Sequence, residues 1–597
     1  MPSITINGRP LEFKPGQTIL QVANSAPGGG IAIPQYCYHD GLSIVASCRI
    51  CLAEVWAPNP RNNNKLESMG KLLPTCQTAC TDGMVVYTDS PKSIANQKAV
   101  MEYLLINHPL DCPVCDQAGE CFLQDYSYEY GRGVSRFEET KVKQPKKDLG
   151  PHVYLYSDRC IMCSRCVRFT REVTGTAELM IQGRGNTEQI DVFPGVALDN
   201  ELSANVTDLC PVGALLDKDF LFAQRVWFLK SAPSIDGITA SGDNILVEHN
   251  NGQVYRLKPR TNMEVNKWWI SDEIRYGWKF VHDEQRLRSP VVARFGKRVE
   301  CDFARAYDEF VENASAAVGA GKRLALMVSP MLACEEAYLL AQAALAIDPR
   351  AVFAVGPVPS SGADKSFPGG YTIYAEKAPN ARGVRRVLEA LARHFGASDG
   401  RVRSFAELLG WLKSPTRTEI GALLLTGNYP SEWATEEFAD AVVESGASAA
   451  LIDTLPNRLS ERVAVLLPGA TWVEKSGSFE NAKGLLQAFE QAIPVIELAK
   501  TEGQIALDLL ARVRGEETSA VGGGAHAEAR SFAVDAAPGQ VPGGTTVLLP
   551  RGRTAYNPAE VRRQMAREVP ELSQFVTAVR LPSVEAKQSG DMEVVEL

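Results

Sequence analysis

Twelve of the chain's 14 cysteines fall before residue 211 of 597, and they fall in sets. The first is Cys37, Cys48, Cys51 and Cys76, with Cys80 beside it. The second is Cys112, Cys115 and Cys121. The third is Cys160, Cys163, Cys166 and the more distant Cys210; only Cys301 and Cys334 follow. Cysteines grouped in this way bind something locally, by disulfides, zinc or iron–sulfur clusters. Met1 to Thr18 reads as strand–turn–strand, not as a charged region followed by an apolar run. No secretory signal is therefore expected, and a reducing compartment disfavours disulfides. Zinc sites usually combine two C-x-x-C pairs, a pattern missing here.

The third set runs Cys160-Ile161-Met162-Cys163-Ser164-Arg165-Cys166 and then Cys210-Pro211. C-x-x-C-x-x-C with a distant Cys-Pro is the ferredoxin signature for a four-iron cluster. The short spacing wraps the backbone round one corner of such a cluster, turning three thiolates and several N–H groups toward it. The first set has the plant-type two-iron arrangement, a C-x-x-C with one cysteine before and one after, though the gap before it is longer. Ser3 to Pro10 reads as a strand entering a hairpin turn at Asn7-Gly8. Thr18 to Ala26 reads as a short helix, so the chain opens like a β-grasp ferredoxin. Cys76 and Cys80 both remain available as the last two-iron ligand.

The second set holds three thiols, which cannot close a four-iron cluster alone. His108 lies four residues before Cys112, and imidazole replaces thiolate in other clusters. The competing reading is a histidine that caps a helix end beside Pro109. Arg49, Arg159 and Arg165 sit inside or beside the ligand motifs, where a cation would stabilise an added electron; surface ion pairs would explain them equally well.

Together these sets resemble the largest hydrophilic subunit of NADH–quinone oxidoreductase (respiratory complex I), the large iron–sulfur subunit of its peripheral arm. The resemblance is carried by Tyr36-Cys37-Tyr38-His39, Ser47 to Glu54, His108 to Cys121 and Asp158 to Phe169. A further stretch, Leu467 to Asn481, is similar to a loop of that family's molybdopterin-oxidoreductase-like domain. The resemblance covers about residues 1 to 500 and is tightest to about 215. It implies one [2Fe-2S] cluster on Cys37, Cys48, Cys51 and Cys76, since Cys80 falls where the family more often has an apolar residue. It implies one [4Fe-4S] cluster on His108, Cys112, Cys115 and Cys121, and a second on Cys160, Cys163, Cys166 and Cys210. The implied role is a relay of electrons from NADH and FMN toward quinone, coupled in the whole complex to proton translocation. The chain itself would bind no NADH. Its implied partners are the flavin/NADH-binding subunit, a 2Fe-2S subunit, a ferredoxin-type subunit and the quinone-site subunits. Its implied place is the cytoplasmic face of the bacterial inner membrane.

The expected architecture is multidomain α/β: a 2Fe-2S ferredoxin-like domain over 1–90, a 4Fe-4S segment with one histidine and three cysteines over 91–130, and a 4Fe-4S ferredoxin-like domain over 151–218. A β-rich domain without a cluster follows over 220–285, then a molybdopterin-oxidoreductase-like α/β domain over 290–500 and a partly flexible tail over 501–597. Within these, Pro58 to Lys65 reads as an inserted surface loop and Ala95 to Ile106 as a helix. Lys141 to Lys147 reads as part of a solvated linker. Leu324–Val328, Ala351–Val355, Ala422–Gly427 and Ala449–Asp453 read as buried parallel strands. Gly515 to Gly544, rich in Gly, Ala and Pro, reads as a flexible linker, and Arg551 to Val576 holds one more helix.

Composition excludes little but is informative at the edges. A chain this long needs several cores. No run of about 18 apolar residues exists, so no membrane span is expected. A net charge of −9 argues against a nucleic-acid binder. A hydrogenase or formate dehydrogenase carrying the same cluster module is the main alternative. The first would need further grouped cysteines after Cys210, and the second a catalytic cysteine usually followed by His, whereas Cys334 precedes Glu335. No cysteine lies between Cys210 and Cys301, so no further cluster is expected there. Cys334 of the α/β domain reads as the start of a helix, where a buried apolar role is commoner, so no molybdopterin is expected either.

Overall fold

The computed structural model of the chain describes residues 1–294, 296–516 and 555–582. They form two compact bodies. The first is Met1–Leu229 together with Ser366–Tyr371, and the second takes Lys230–Lys365 and the described residues from Thr372 onward.

The first body opens with β1 (Ser3–Ile6) and β2 (Arg9–Glu12), paired about Asn7 and Gly8. Both turn residues have positive φ, 49° and 78°, the conformation an Asn-Gly hairpin turn requires. Helix α1 (Ile19–Asn24) starts at Thr18, whose side chain and that of Gln21 cap each other's backbone N–H. Its buried face, Ile19, Leu20, Val22 and Ala23, joins a core with Ile4, Ile6, Val55 and Val86. With β3 (Leu52–Asn59), β4 (Lys65–Pro74) and β5 (Met84–Tyr87) the sheet runs β2-β1-β5-β3-β4, β1 and β5 being parallel. This is the expected β-grasp. The polar stretch Pro58 to Lys65 is not an insertion but the tip of the β3–β4 hairpin, paired from Leu52↔Pro74 to Asn59↔Lys65. Asn63 and Asn64 close that tip in the left-handed region, which asparagine tolerates.

Helix α2 (Pro91–Leu105) begins four residues before the apolar repeat that signals it, because Ser90 caps it and Pro91 fills its first position. Helix α3 (Phe122–Tyr130) carries the aromatic segment that follows Cys121. The basic stretch is not a solvated linker. Lys141 Nζ lies 2.7 and 2.8 Å from the carbonyl oxygens of Leu105 and Ile106, closing the C-terminus of α2. Lys146–Asp148 forms a strand, β6, against β7 (Val153–Tyr156). Helix α4 (Arg165–Phe169) runs into one π-helical turn over Thr170–Thr174. Short strands Leu179–Gln182 and Gln189–Val192 pair as expected, around a turn and not a phosphate loop.

The second body starts with a three-stranded antiparallel sheet, Lys230–Ile235, Asn244–Asn250 and Gln253–Pro259, turning at Asn251-Gly252. Its larger sheet holds five parallel strands in the order Val352–Val355, Arg323–Val328, Ile420–Thr426, Ser448–Asp453 and Val465–Pro468, with Val291–Arg294 and Lys297–Glu300 antiparallel beyond them. The four strands read from apolar runs are present. The fifth, Val465–Pro468, hides at the start of the Leu467–Asn481 motif. Residues after 500 are not simply a tail. Glu502–Val513 places Ile505, Ala506 and Leu509 in the core, and Val561, Met565 and Phe575 of the helices at 558–577 join them. Most of the Gly515–Gly544 stretch lies outside the described residues.

The motif itself is built into this core. Glu474 bonds Arg286 at 2.8 Å and caps Thr471, while Lys475, fully buried, bridges Glu336 at 2.9 Å and Glu502 at 2.6 Å. One buried cation holding two carboxylates is destabilising to break, since each partner left behind is an uncompensated charge. Lys475→Met is expected to lower the stability of the second body by about 3–5 kcal/mol. Urea unfolding followed by tryptophan fluorescence measures it, and an unchanged midpoint would mean that the trio carries no net stability.

Candidate iron–sulfur sites

The first cysteine set converges in the β-grasp body. The Cys37 thiol is held well below its usual range by hydrogen bonds from the side chains of Cys48 and then Cys76. Cys48 and Cys76, as donors, are pushed up. Cys51 is drawn down to about 6 by the Cys76 side chain. All four therefore meet at one place, with Cys37, Cys51 and Cys76 buried. Cys80 differs: burial alone pushes it up to about 11. Its N–H is bonded to Gln17 O at 2.9 Å, which fixes it near α1 as a small apolar side chain. The loop carrying Cys48 bends through Ala46 and Arg49, both non-glycine residues at positive φ, 52° and 59°. Each costs about 1–2 kcal/mol in an L-residue, a strain that a ligand held by this loop would offset. The side chain of Arg49 is exposed, so of the three motif arginines it is the one that faces solvent.

The third set walls a single cavity with Cys160, Cys163, Cys166 and Cys210, closed by Leu155, Ile190, Val212 and Leu215. Burial pushes up all four thiols, Cys163 to about 11. A dry apolar pocket disfavours thiolate unless a cation supplies compensating charge, as iron does on coordination. Backbone N–H groups point at the sulfurs: Met162 N lies 3.4 Å from Cys160 Sγ, and those of Val212, Ala214 and Leu215 act on Cys210. Met162 and Ser164 flank Cys163 at φ 53° and 59°. Four soft ligands, free N–H donors and an apolar wall fit a four-iron cluster.

The second set is more open. Cys115 and Cys121 are buried, Cys112 is exposed, and Cys115 acts electrostatically on Cys121. His108 is half-buried. Burial, then the charges of Arg159 and Lys141, depress it to about 4, so its imidazole is neutral and keeps a lone pair for a metal. Arg159 ties this loop to the third set: it is buried, donates to Asp111 at 2.9 Å and to Gly213 O at 3.4 Å, and stacks 4.0 Å from the Tyr156 ring. It is thus an internal ion pair, not a surface one.

Three further residues of this arrangement are not marked out by the cysteine spacing. Arg225 donates to Cys115 O at 3.1 Å and Cys112 O at 3.0 Å from more than a hundred residues away. Gly213 packs so closely on Cys115 that an added Cβ would stand 2.2 Å from its Sγ; its place just after Cys210-Pro211 is the only hint. Tyr36, fully buried, donates to Met101 Sδ at 3.2 Å, packs 5.2 Å from the Tyr126 ring and lies within electrostatic reach of both Cys121 and Cys48. It stands between the first and second sets.

A β-grasp body with three such ligand sets, joined in one chain to a parallel α/β body, defines an iron–sulfur protein of ferredoxin type fused to an oxidoreductase-like domain. Family models match in the same order. A 2Fe-2S iron-sulfur cluster binding domain covers residues 2–91, an NADH-ubiquinone oxidoreductase-G iron-sulfur binding region 97–136, and a ferredoxin-like domain of NADH-quinone oxidoreductase subunit 3 covers 150–216. An NDSU1/NuoG-like 4Fe-4S domain then covers 229–279, and a molybdopterin oxidoreductase domain 374–512. The 78 kDa subunit of mitochondrial NADH-ubiquinone oxidoreductase from Neurospora crassa is 43% identical over 49% of this chain and 38% of its own length. The 75 kDa subunit of NADH-ubiquinone oxidoreductase from Reclinomonas americana is 39% identical over 52% of this chain and 43% of its own. A chain of an NAD+-reducing [NiFe]-hydrogenase crystal structure is 28% identical over 38% of this chain and 91% of its own, with a TM-score of 0.33. The chain is similar to the large iron–sulfur subunit of NADH–quinone oxidoreductase, and it spans under half the length of the curated relatives above. Its stretch 229–279 contains no cysteine, so the residues there do not fit the four-iron cluster for which the matching model is described.

Cys76 lies among the other thiols of the first set and Cys80 does not. Cys80→Val is expected to keep the two-iron EPR signal of the reduced protein, and Cys76→Ser to abolish or distort it. The reverse pattern would exchange the two assignments.

Proposed function

We propose that this chain relays electrons within an NADH–quinone oxidoreductase, from the NADH- and FMN-bearing subunit toward the quinone-reducing ones. The observation that carries the reading is the linkage of all three ligand sets inside one body, the first to the second through Tyr36 and the second to the third through Arg159 and Gly213. Iron–sulfur clusters supply one-electron carriers when bound. Cys37, Cys48, Cys51 and Cys76 would hold a [2Fe-2S] cluster, His108, Cys112, Cys115 and Cys121 a [4Fe-4S] cluster, and Cys160, Cys163, Cys166 and Cys210 another. The protein's own part is to bury the ligands, aim N–H groups at their sulfurs and set fixed positive charge nearby.

The second body serves as scaffold, without molybdopterin. In support, Glu474, Lys475, Glu480 and Asn481 of the Leu467–Asn481 motif all spend their polar groups on internal partners. Cys334 is fully buried and bonded to Asn380. No helix among the described residues is long and apolar enough to cross a membrane. Attachment to the cytoplasmic face of a bacterial inner membrane would therefore be through partner subunits: the flavin/NADH-binding, 2Fe-2S, ferredoxin-type and quinone-site subunits.

Metal analysis of the purified chain is expected to give about ten irons, two plus four plus four from the cluster types, with no stoichiometric molybdenum or tungsten. About fourteen irons, or either metal, would replace the relay reading with a catalytic one. His108→Ala is expected to alter one four-iron EPR signal and His108→Cys to shift it; if neither moves any signal, the fourth ligand lies elsewhere.

A further inference from the structure

Two arginines on α4 are buried between the first and third ligand sets. Arg165 lines the cavity walled by Cys160, Cys163, Cys166 and Cys210. Its side chain donates to Leu209 O at 3.4 Å, beside Cys210, and to Tyr38 O, beside Cys37; its Nε has no partner among the described residues. Arg168 donates to the carbonyl oxygens of Cys37 and Cys163, one from each set, and to that of Ser43. The hydroxyl of Ser164 is its side-chain partner, at 3.4 Å.

Every one of these partners is neutral. Arg159 and Arg225 are different: Arg159 has Asp111 at 2.9 Å, and Arg225 has Asp116 at 4.0 Å, while Arg49 is exposed to solvent. Glu172, the carboxylate closest along the same helical run, is engaged by Ser43 N and Oγ instead. A buried guanidinium without an anion is strongly unfavourable, and two side by side more so. The described residues satisfy their N–H groups with carbonyl oxygens and one hydroxyl but do not neutralise their charge. The groups that would do so are those bound by the two neighbouring cysteine sets, since thiolate-ligated iron–sulfur clusters are anionic and become more so on reduction.

We infer that Arg165 and Arg168 are shared counter-cations of the two-iron cluster and the third-set four-iron cluster, positioning residues that make both easier to reduce. A fixed positive charge between two electron carriers stabilises the added electron on either one. It therefore shifts the two potentials together and keeps them matched. The inference rests on the cluster reading above.

The test is equilibrium reduction of the full chain with its clusters, followed by EPR at a series of poised potentials. Arg165→Gln and Arg168→Gln are expected to disfavour reduction of both clusters about tenfold, or 59 mV for one electron, and to leave the second-set cluster nearly in place. Arg165→Lys and Arg168→Lys keep the charge and should restore most of each shift. Potentials that stay put, a shift in one cluster alone, or equal shifts in the Lys and Gln variants would overturn the inference. Should Arg165→Gln fail to fold, the Arg168 pair decides by the same criteria. Absence of the two cluster signals in the unsubstituted protein would instead overturn the cluster reading.

Discussion

Cysteine thiols buried in an apolar interior are the constraint around which the first body is organised. A dry thiolate is costly, so each ligand loop must supply compensation of its own. The loops do so by keeping backbone N–H groups out of helices and sheets and turning them toward sulfur, as at Cys160 and Cys210. Freeing those groups requires backbone that regular elements cannot provide. This is why Ala46, Arg49, Met162 and Ser164 adopt left-handed conformations around the cysteines. The regular elements, the β-grasp sheet and helices α1 to α4, are the frame that holds the strained loops in place.

The second body solves a related problem with opposite means. Several of its buried charges are paired among themselves: Arg286 with Glu474, Arg562 with Glu335, and Lys475 with Glu336 and Glu502. Burial still raises Glu502 to about 8 against its neighbouring lysine, so the trio sits close to a protonation change. Internal pairing of this kind specifies how the Leu467–Asn481 motif docks into the core and leaves those side chains committed to the fold.

Much of this was legible in the sequence where the chemistry is local. C-x-x-C spacing, the Asn-Gly turns and the four apolar strands each follow from a few adjacent residues, and the structure contains them. What failed to show was set by distance. Arg225 meets Cys112 and Cys115 only after folding. Lys141 looks like solvated charge until the end of α2 is seen beneath it. Cys76 and Cys80 are alike by spacing but differ in surroundings: one shares hydrogen bonds with other thiols, the other lies among apolar side chains. The strand Val465–Pro468 was hidden because its short apolar run ends in proline, which fits the edge of an element better than its middle.

The first body is not contiguous in the chain. Ser366–Tyr371 belongs to it although its neighbours on either side belong to the second, and Gly369 N is bonded to Val173 O at 3.0 Å, just past α4. A ribosome has therefore released every ligand cysteine up to Cys210 long before the last piece of their body emerges. During that interval the π-helical turn beside the third set lacks its covering segment. The residues that line the third set's cavity, all between 155 and 215, are complete before that segment is made, so the cavity's walls do not wait for residue 371 and only the cover of the turn does.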